Sequence, residues 1–276
     1  MEKIGFVVLT WNSERVIERC LNSICALKLF TPLIFIVDNG SSDSTATILQ
    51  YYERSYDCID VTYFGKNMGT TISRNIALKK CLKFHADFIC ILDSDTVVND
   101  EALLSMKTRL LLPNVGIVGP VMEDENGVVQ NSGRKVPTMM IKLFKVLPIK
   151  ALKKKGESLE LYIYEKVGCR PVGYLMSACW LFKKSLLDNV GLLDEKIFYA
   201  PEDVDFCLCC WEQGNGVYKD YDAKIIHSWQ RISRKKLFSR HNVEHIKGLL
   251  YLFRKHHFFF SASKYEEKVA QYRTFV

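Results

Sequence analysis

No uninterrupted apolar stretch reaches the roughly 18 to 20 residues that a membrane-spanning helix requires. The opening, Met1-Glu2-Lys3 followed at once by a strand-like run, lacks the charged, apolar and small-residue zones of a secretory leader. Together these absences predict cytoplasmic residence. Paired C-x-x-C half-sites are missing too, so the 10 cysteines do not read as a zinc module. Cys81, Cys90, Cys179 and Cys207 lie in apolar runs, where a reduced thiol behaves as a small hydrophobe, and Cys207, Cys209 and Cys210 read the same way. There is no G-x-G-x-x-G and no G-x-x-x-x-G-K-[ST], so neither a dinucleotide fold nor a P-loop is supported. Any phosphate must then be held by metal and side chains. Internal repeats and low-complexity segments are also lacking.

What is present is an ordinary globular composition, 48% hydrophobic and 25% charged over 276 residues, with order in doubt only around Lys150 to Glu160. The length suits a catalytic domain over residues 1–230 with a basic, aromatic helical extension over 231–276. The formal charge of +7 is modest, but basic residues gather at Lys142, Lys145, Lys150, Lys153, Lys154 and Lys155, and again at Arg231, Arg234, Lys235, Lys236 and Arg240. Such clusters suit nucleic acid, anionic lipid or substrate phosphates, or are simply solvated surface. No recognition motif accompanies them, so nucleic acid is not an expected partner.

The chain alternates strand and helix. Strands are predicted at 4–9, 33–37, 59–64 and 88–92, with helices at 13–27, 45–54 and 70–84 between them. This rhythm implies parallel strands joined by right-handed crossovers in a doubly wound, mostly parallel α/β sheet. Further on, a helix at 101–111, strands at 115–119 and 174–182, a short helix at 183–189 and a helix at 204–213 ending at Gly214 are expected. Short strands at 217–221 and 224–227 and a tail helix at 237–257 complete the reading.

Acids stand where such a sheet presents its strand ends. Phe88-Ile89-Cys90-Ile91-Leu92 runs straight into Asp93-Ser94-Asp95, which brings two carboxylates to the C-terminal edge, where a divalent cation and a diphosphate can meet. Asp38 ends an earlier strand, placed to accept from a base or ribose hydroxyl or else to close an Asx turn with Gly40. Asn67-Met68-Gly69 through Arg74-Asn75 opens a helix, where backbone N–H groups and Arg74 suit an anion, although Arg74 also reads as a plain helix arginine. Glu202, Asp203 and Asp205 crowd a helix N-terminus, where caps are often acidic and where Asp203 or Glu202 could act as general base. His227 follows Ile225-Ile226 and either completes an oxygen-and-nitrogen site for manganese or magnesium or is structural. Trp180, Trp211 and Trp229 are either sugar-stacking or core residues.

In their order and spacing these pieces resemble the family-2 inverting glycosyltransferases of the GT-A fold. The motifs are Thr10-Trp11-Asn12, Val37 to Asp43, Asn67-Met68-Gly69 with Arg74-Asn75, Asp93-Ser94-Asp95, and Gly191 to Glu195 with Phe198-Tyr199 and Glu202 to Asp205. Gly191 to Asp205 with His227 to Arg234 further resembles the bacterial rhamnosyltransferases of surface-polysaccharide synthesis. The resemblance implies transfer of a sugar, L-rhamnose from dTDP-rhamnose, with inversion, to a saccharide or lipid-linked saccharide acceptor. It further implies donor contacts from Thr10, Asn12, Asp38, Asn67, Arg74, Asp93 and Ser94. Asp95 and His227 would be the ligands of Mn2+ or Mg2+, and Asp203, beside Glu202, the base. Two departures stand out: relatives often carry an arginine where Cys209 or Cys210 stands, and residues 133–160 match nothing.

Two other readings compete. A nucleotidyltransferase would need a glycine-rich basic loop after the first strand, which Thr10 to Glu14 is not, and a non-catalytic polysaccharide-binding scaffold would not need every acid in place. The aromatic C-terminus, with Phe253, Phe258, Phe259 and Phe260, fits a membrane surface, a packed helix or a dimer contact equally.

Overall fold

A computed structural model describes residues 1–147, 149–228 and 240–274. Its first half follows the predicted alternation: β1 (Lys3–Thr10), α1 (Ile17–Cys25), β2 (Thr31–Asp38), α2 (Thr45–Ser55), β3 (Ile59–Tyr63), α3 (Thr70–Lys83) and β4 (Phe88–Asp93). β1 pairs in parallel with both β2 and β4, and β2 with β3. The strands read as apolar runs because both faces are covered. Ile4, Phe6 and Val8 face α1 with Ile17, Leu21 and Ile24, whereas Val7, Ile89 and Ile91 face α3 with Leu78 and Cys81. At Gly5 the helix comes so close that a Cβ would lie 2.6 Å from Cys81 Sγ.

The second half departs from the pattern. β5 (Thr96–Val97), α4 (Asp100–Leu110), β6 (Val115–Glu123), β7 (Val129–Gln130) and β8 (Gly133–Arg134) precede two helices, α5 (Met139–Val146) and α6 (Lys150–Leu159). The stretch expected to lack order is therefore helical. Its reason is a tertiary charge pairing: Glu160, 2% exposed, draws Arg134, Lys142 and Lys145 around its carboxylate. Part of the first basic cluster thus points inward.

The chain continues through β9 (Cys169–Pro171), β10 (Tyr174–Leu175), β11 (Cys179–Lys183), α7 (Leu186–Val190), α8 (Glu202–Glu212) and β12 (Gly216–His227), and then α9 (Arg240–Lys255) and α10 (Ser263–Gln271). The sheet order is β3-β2-β1-β4-β11-β6-β12-β5, with β6 and β12 parallel and β11 running antiparallel between β4 and β6. The strand expected at 174–182 is broken at Met176-Ser177-Ala178, which leaves the sheet to pass the cleft described below. The two short strands expected near 217–227 are one, with a register shift between Asp220 and Lys224. Gly214, at φ +73, follows α8 in the left-handed conformation that its C-terminal role requires.

Leu249, Leu252 and Phe253 of α9 and Tyr265 and Val269 of α10 share one core with Phe206, Cys207 and Trp211 of α8. Phe258 joins that core, so Phe259 and Phe260 are the members of the aromatic group left exposed. All 10 cysteines are free thiols. Trp180 and Trp211 are fully buried, which rules them out as sugar platforms, and Trp229 lies outside the described residues. So do Arg231, Arg234, Lys235 and Lys236, and the start of the expected tail helix. Among the described residues, no helix is long and apolar enough to cross a membrane.

Candidate active site

β1, β4 and β12 all finish at one edge of the sheet, and the loops that follow them enclose two adjoining cavities of ≈ 230 and ≈ 330 Å³. Leu9, Thr70, Asp93, Asp95 and Tyr199 line both, so the cavities form one cleft. Trp11, Ser13, Asn39, Asn67 and Ser94 line its first end, and Met176, Ser177, Glu202, Asp203 and His227 its second.

At the middle, Asp93, Asp95 and His227 each offer a ligand atom, and these atoms lie within 4.8 Å of one another. His227 Nε2 is 3.3 Å from Asp95 Oδ1, while its Nδ1 is 2.6 Å from Gln130 Oε1. Gln130 also donates from Nε2 to the His227 carbonyl, which fixes its amide orientation and makes Oε1 the acceptor of an Nδ1–H. In the neutral ring that tautomer leaves Nε2 bare towards the two acids, whereas the bond to Asp95 belongs to the protonated ring. Burial works against an imidazolium here, but the bond to Asp95 prevails and holds His227 above its ordinary value. Two carboxylates and an imidazole oriented in this way make a donor set suited to a divalent cation such as manganese or magnesium.

Towards the second end, Arg74 is 3% exposed and spans the acids. Nη2 donates to Asp93 Oδ1 at 2.7 Å, and Nη1 to Glu202 Oε1 at 3.1 Å and to Ser177 Oγ at 2.8 Å. Its charge is consumed by carboxylates rather than left open to an anion. Glu202 also accepts from Ser177 Oγ. Asp203 differs: among the described residues its one hydrogen bond is from the Val204 N–H, so its carboxylate keeps lone pairs towards the cleft. Burial and the adjacent Asp203 push Glu202 up to about 8 against the pull of Arg74, and burial likewise raises Asp203. Two neighbouring acids of this kind resist carrying two charges together.

The other expected donor contacts divide by location. Asn67, Asp93 and Ser94 line the cleft; Thr10, Asn12 and Asp38 do not. Asp38 is 3% exposed and accepts from Thr10 Oγ1, Ser41 Oγ and the Ser41 N–H, so the local turn claims its carboxylate. Asn12 Oδ1 accepts from the Ser42 N–H and pins the same loop. Thr70 N–H, at the start of α3, is taken by the Phe198 carbonyl at 2.7 Å, which closes part of the helix end expected to meet an anion.

The model of "Glycosyl transferase family 2" matches residues 6–191. The chain belongs to that family. This family-2 chain is a glycosyltransferase. It is 24% identical over 223 residues to the dTDP-rhamnosyl transferase RfbF of Shigella flexneri, covering 80% of this chain and 68% of that one. To the N-acetylglucosaminyl-diphospho-decaprenol L-rhamnosyltransferase of Mycobacterium tuberculosis it is 27% identical over 212 residues, covering 72% and 67%. Among solved structures, GalNAc-T7 with UDP, GalNAc and Mn2+ superposes with a TM-score of 0.64 at 14% identity, covering 92% of this chain and 48% of that one. The chain thus spans about half of that structure, and the likeness is one of GT-A fold.

Sequence reasoning about this glycosyltransferase missed Gln130, Ser177, Asn39, Ser13 and Met176. Asn39 Oδ1 accepts from the Met68 N–H and Asn39 Nδ2 donates to Asn67 Oδ1, so the pair builds one cleft wall. Ser177 had a visible signal, a lone polar residue inside the apolar run from Tyr174 to Phe182. Gln130 had none.

Proposed function

We propose that this glycosyltransferase moves L-rhamnose from dTDP-rhamnose, with inversion, to a saccharide or lipid-linked saccharide acceptor in the synthesis of a surface polysaccharide. The observation that carries the reading is the shared cleft. It joins the cluster of Asp93, Asp95 and His227 to a carboxylate, Asp203, that no other side chain among the described residues occupies. The relatives named as rhamnosyltransferases support the choice of donor.

In this reading Asp93, Asp95 and His227 would hold a divalent cation, which would supply charge neutralisation for the departing diphosphate. Ser13, Ser94, Asn39 and Asn67 border the nucleotide end, with the Trp11 ring at its rim. Asp203 takes the proton from the acceptor hydroxyl that attacks the face opposite the leaving group. Glu202 serves differently. Fixed by Arg74 and Ser177 and pushed up to about 8, it holds the proton of the pair at neutral pH and leaves Asp203 as the acid free to act as base. Among the described residues, only one of the two acids is open to an acceptor.

The test is a panel of nucleotide sugars assayed for hydrolysis with and without Mn2+, followed by transfer assays of Asp203→Asn. Hydrolysis selective for dTDP-rhamnose and abolished by EDTA is expected. The Asn variant should lose about 10²–10⁴-fold in transfer while donor affinity stays within about twofold. Wild-type turnover by that variant would remove Asp203 from its role.

A further inference from the structure

β12 carries a lysine for which the fold offers no counter-charge. Lys219 is 3% exposed, and among the described residues it has neither a carboxylate nor a hydrogen-bond acceptor for its ammonium. The group lies 5.1 Å from the Tyr221 ring centroid, while Lys166 and Arg134 act on it as like charges. Its stem crosses Gly133, where a Cβ would fall 3.1 Å from the lysine Cδ, so β8 leaves space for it. The ammonium is not sealed off but opens onto a cavity, where an anion can supply the acceptors it lacks. Burial pushes Lys219 down to about 8, which still leaves it mainly charged at neutral pH.

The side chain lines a cavity of ≈ 350 Å³ with Lys166, Lys224, Tyr162 and Asn131. Glu123 is the one acid among the described lining residues, and it is 3.5 Å from Lys224. Lysines outnumber acids there by three to one. We propose that this cavity binds a phosphoryl or diphosphoryl group, with Lys219 as its buried cation and Lys166 and Lys224 at its mouth.

The location deepens the functional reading above and rests on it for the identity of the ligand. Gln130 and Asn131 line both this cavity and a neighbouring one bordered by Arg134 and Met176. Met176 in turn lines the cavity that holds Asp203. Arg134 lines the middle cavity of the three. An acceptor that presents a sugar hydroxyl to Asp203 can therefore run past Met176 and Arg134 and set its phosphates against Lys219. The acceptor class is a saccharide carried on a diphosphate.

The first experiment titrates the full chain with inorganic diphosphate by calorimetry in EDTA, which removes metal-assisted binding at Asp95. Wild type should bind, and Lys219→Met, which keeps the apolar stem, should bind about tenfold or more weakly. If that variant does not fold, the exposed-rim pair Lys166→Gln/Lys224→Gln should weaken binding severalfold. Equal affinity in wild type and variants, or no binding by wild type, overturns the site. The second experiment compares transfer to a diphosphate-linked saccharide with transfer to the same saccharide as a neutral alkyl glycoside. Lys219→Met should raise KM about tenfold for the first alone. An equal rise for both would overturn the acceptor assignment and leave free phosphate as the ligand. Absence of all donor turnover would defeat the proposed reaction, yet would not touch the diphosphate titration.

Discussion

Arg74→Met removes a guanidinium that bridges Asp93 Oδ1 at 2.7 Å and Glu202 Oε1 at 3.1 Å from a position only 3% exposed. Breaking a buried ion pair from one side costs about 3–5 kcal/mol, because the partner charge is stranded. The two acids do not share that penalty equally. The Asp93 side chain is 36% exposed, so water can take over its solvation, and its share falls to the range of about 0–1 kcal/mol known for surface pairs. The Glu202 side chain is 9% exposed and keeps most of the cost, softened by Ser177 Oγ, which still donates to it. Methionine refills much of the arginine stem, so a cavity adds little. The net loss is about 2–4 kcal/mol, roughly 4–8 °C in Tm for a chain of this size. Differential scanning calorimetry at pH 9, above the value of about 8 to which Glu202 is pushed, reads it with that carboxylate charged. The double variant Arg74→Met/Glu202→Gln should recover about half of the loss, since a neutral amide needs no cation. A Tm within about 1 °C of wild type for the single variant, or no recovery in the double, would refute the view of Arg74 as a strut between the two ends of the cleft.

Gln130→Leu should lower Mn2+ affinity about 10–100-fold, read by isothermal titration, because His227 loses the acceptor that fixes its tautomer; unchanged affinity would remove His227 from the metal set. Asp95→Ala should abolish the Mn2+ dependence of donor binding, and calorimetric affinities that are equal with and without the ion would contradict the assignment. At His256 burial opposes the charge, but Asp205, Cys209 and Glu212 outweigh it and hold the imidazolium up to about 10, beside Lys255 and Tyr265. A raised value means that its stabilisation is complete below pH 6.5 and lost as pH rises through 10, so wild-type Tm should fall across that window. His256→Asn should flatten the fall and remove about 2–4 kcal/mol at pH 6, and equal slopes in the two proteins would refute the pairing.

What could be read from the sequence was residue type at strand ends, and what could not was partnership. Parallel strands covered on both faces appear as apolar runs, which is why β1 to β4 and the acid positions after them were legible. Asp38 and Asp203 look alike as strand-end or helix-start carboxylates, yet Thr10 and Ser41 close around the first while no side chain closes around the second. The difference depends on Thr10, 28 positions away, as well as on the local turn through Ser41 in one case, and on an absence among the described residues in the other. The same holds for the helix at 150–159, whose lysine-rich composition suggested disorder until Glu160 was seen gathering Arg134, Lys142 and Lys145. Charge of one sign, read along a chain, says nothing of the opposite charge that folding brings to it. Lys219 turns that argument around. Its ammonium opens onto a cavity in which, among the described residues, no acid pairs with it, and for that reason it points to a ligand.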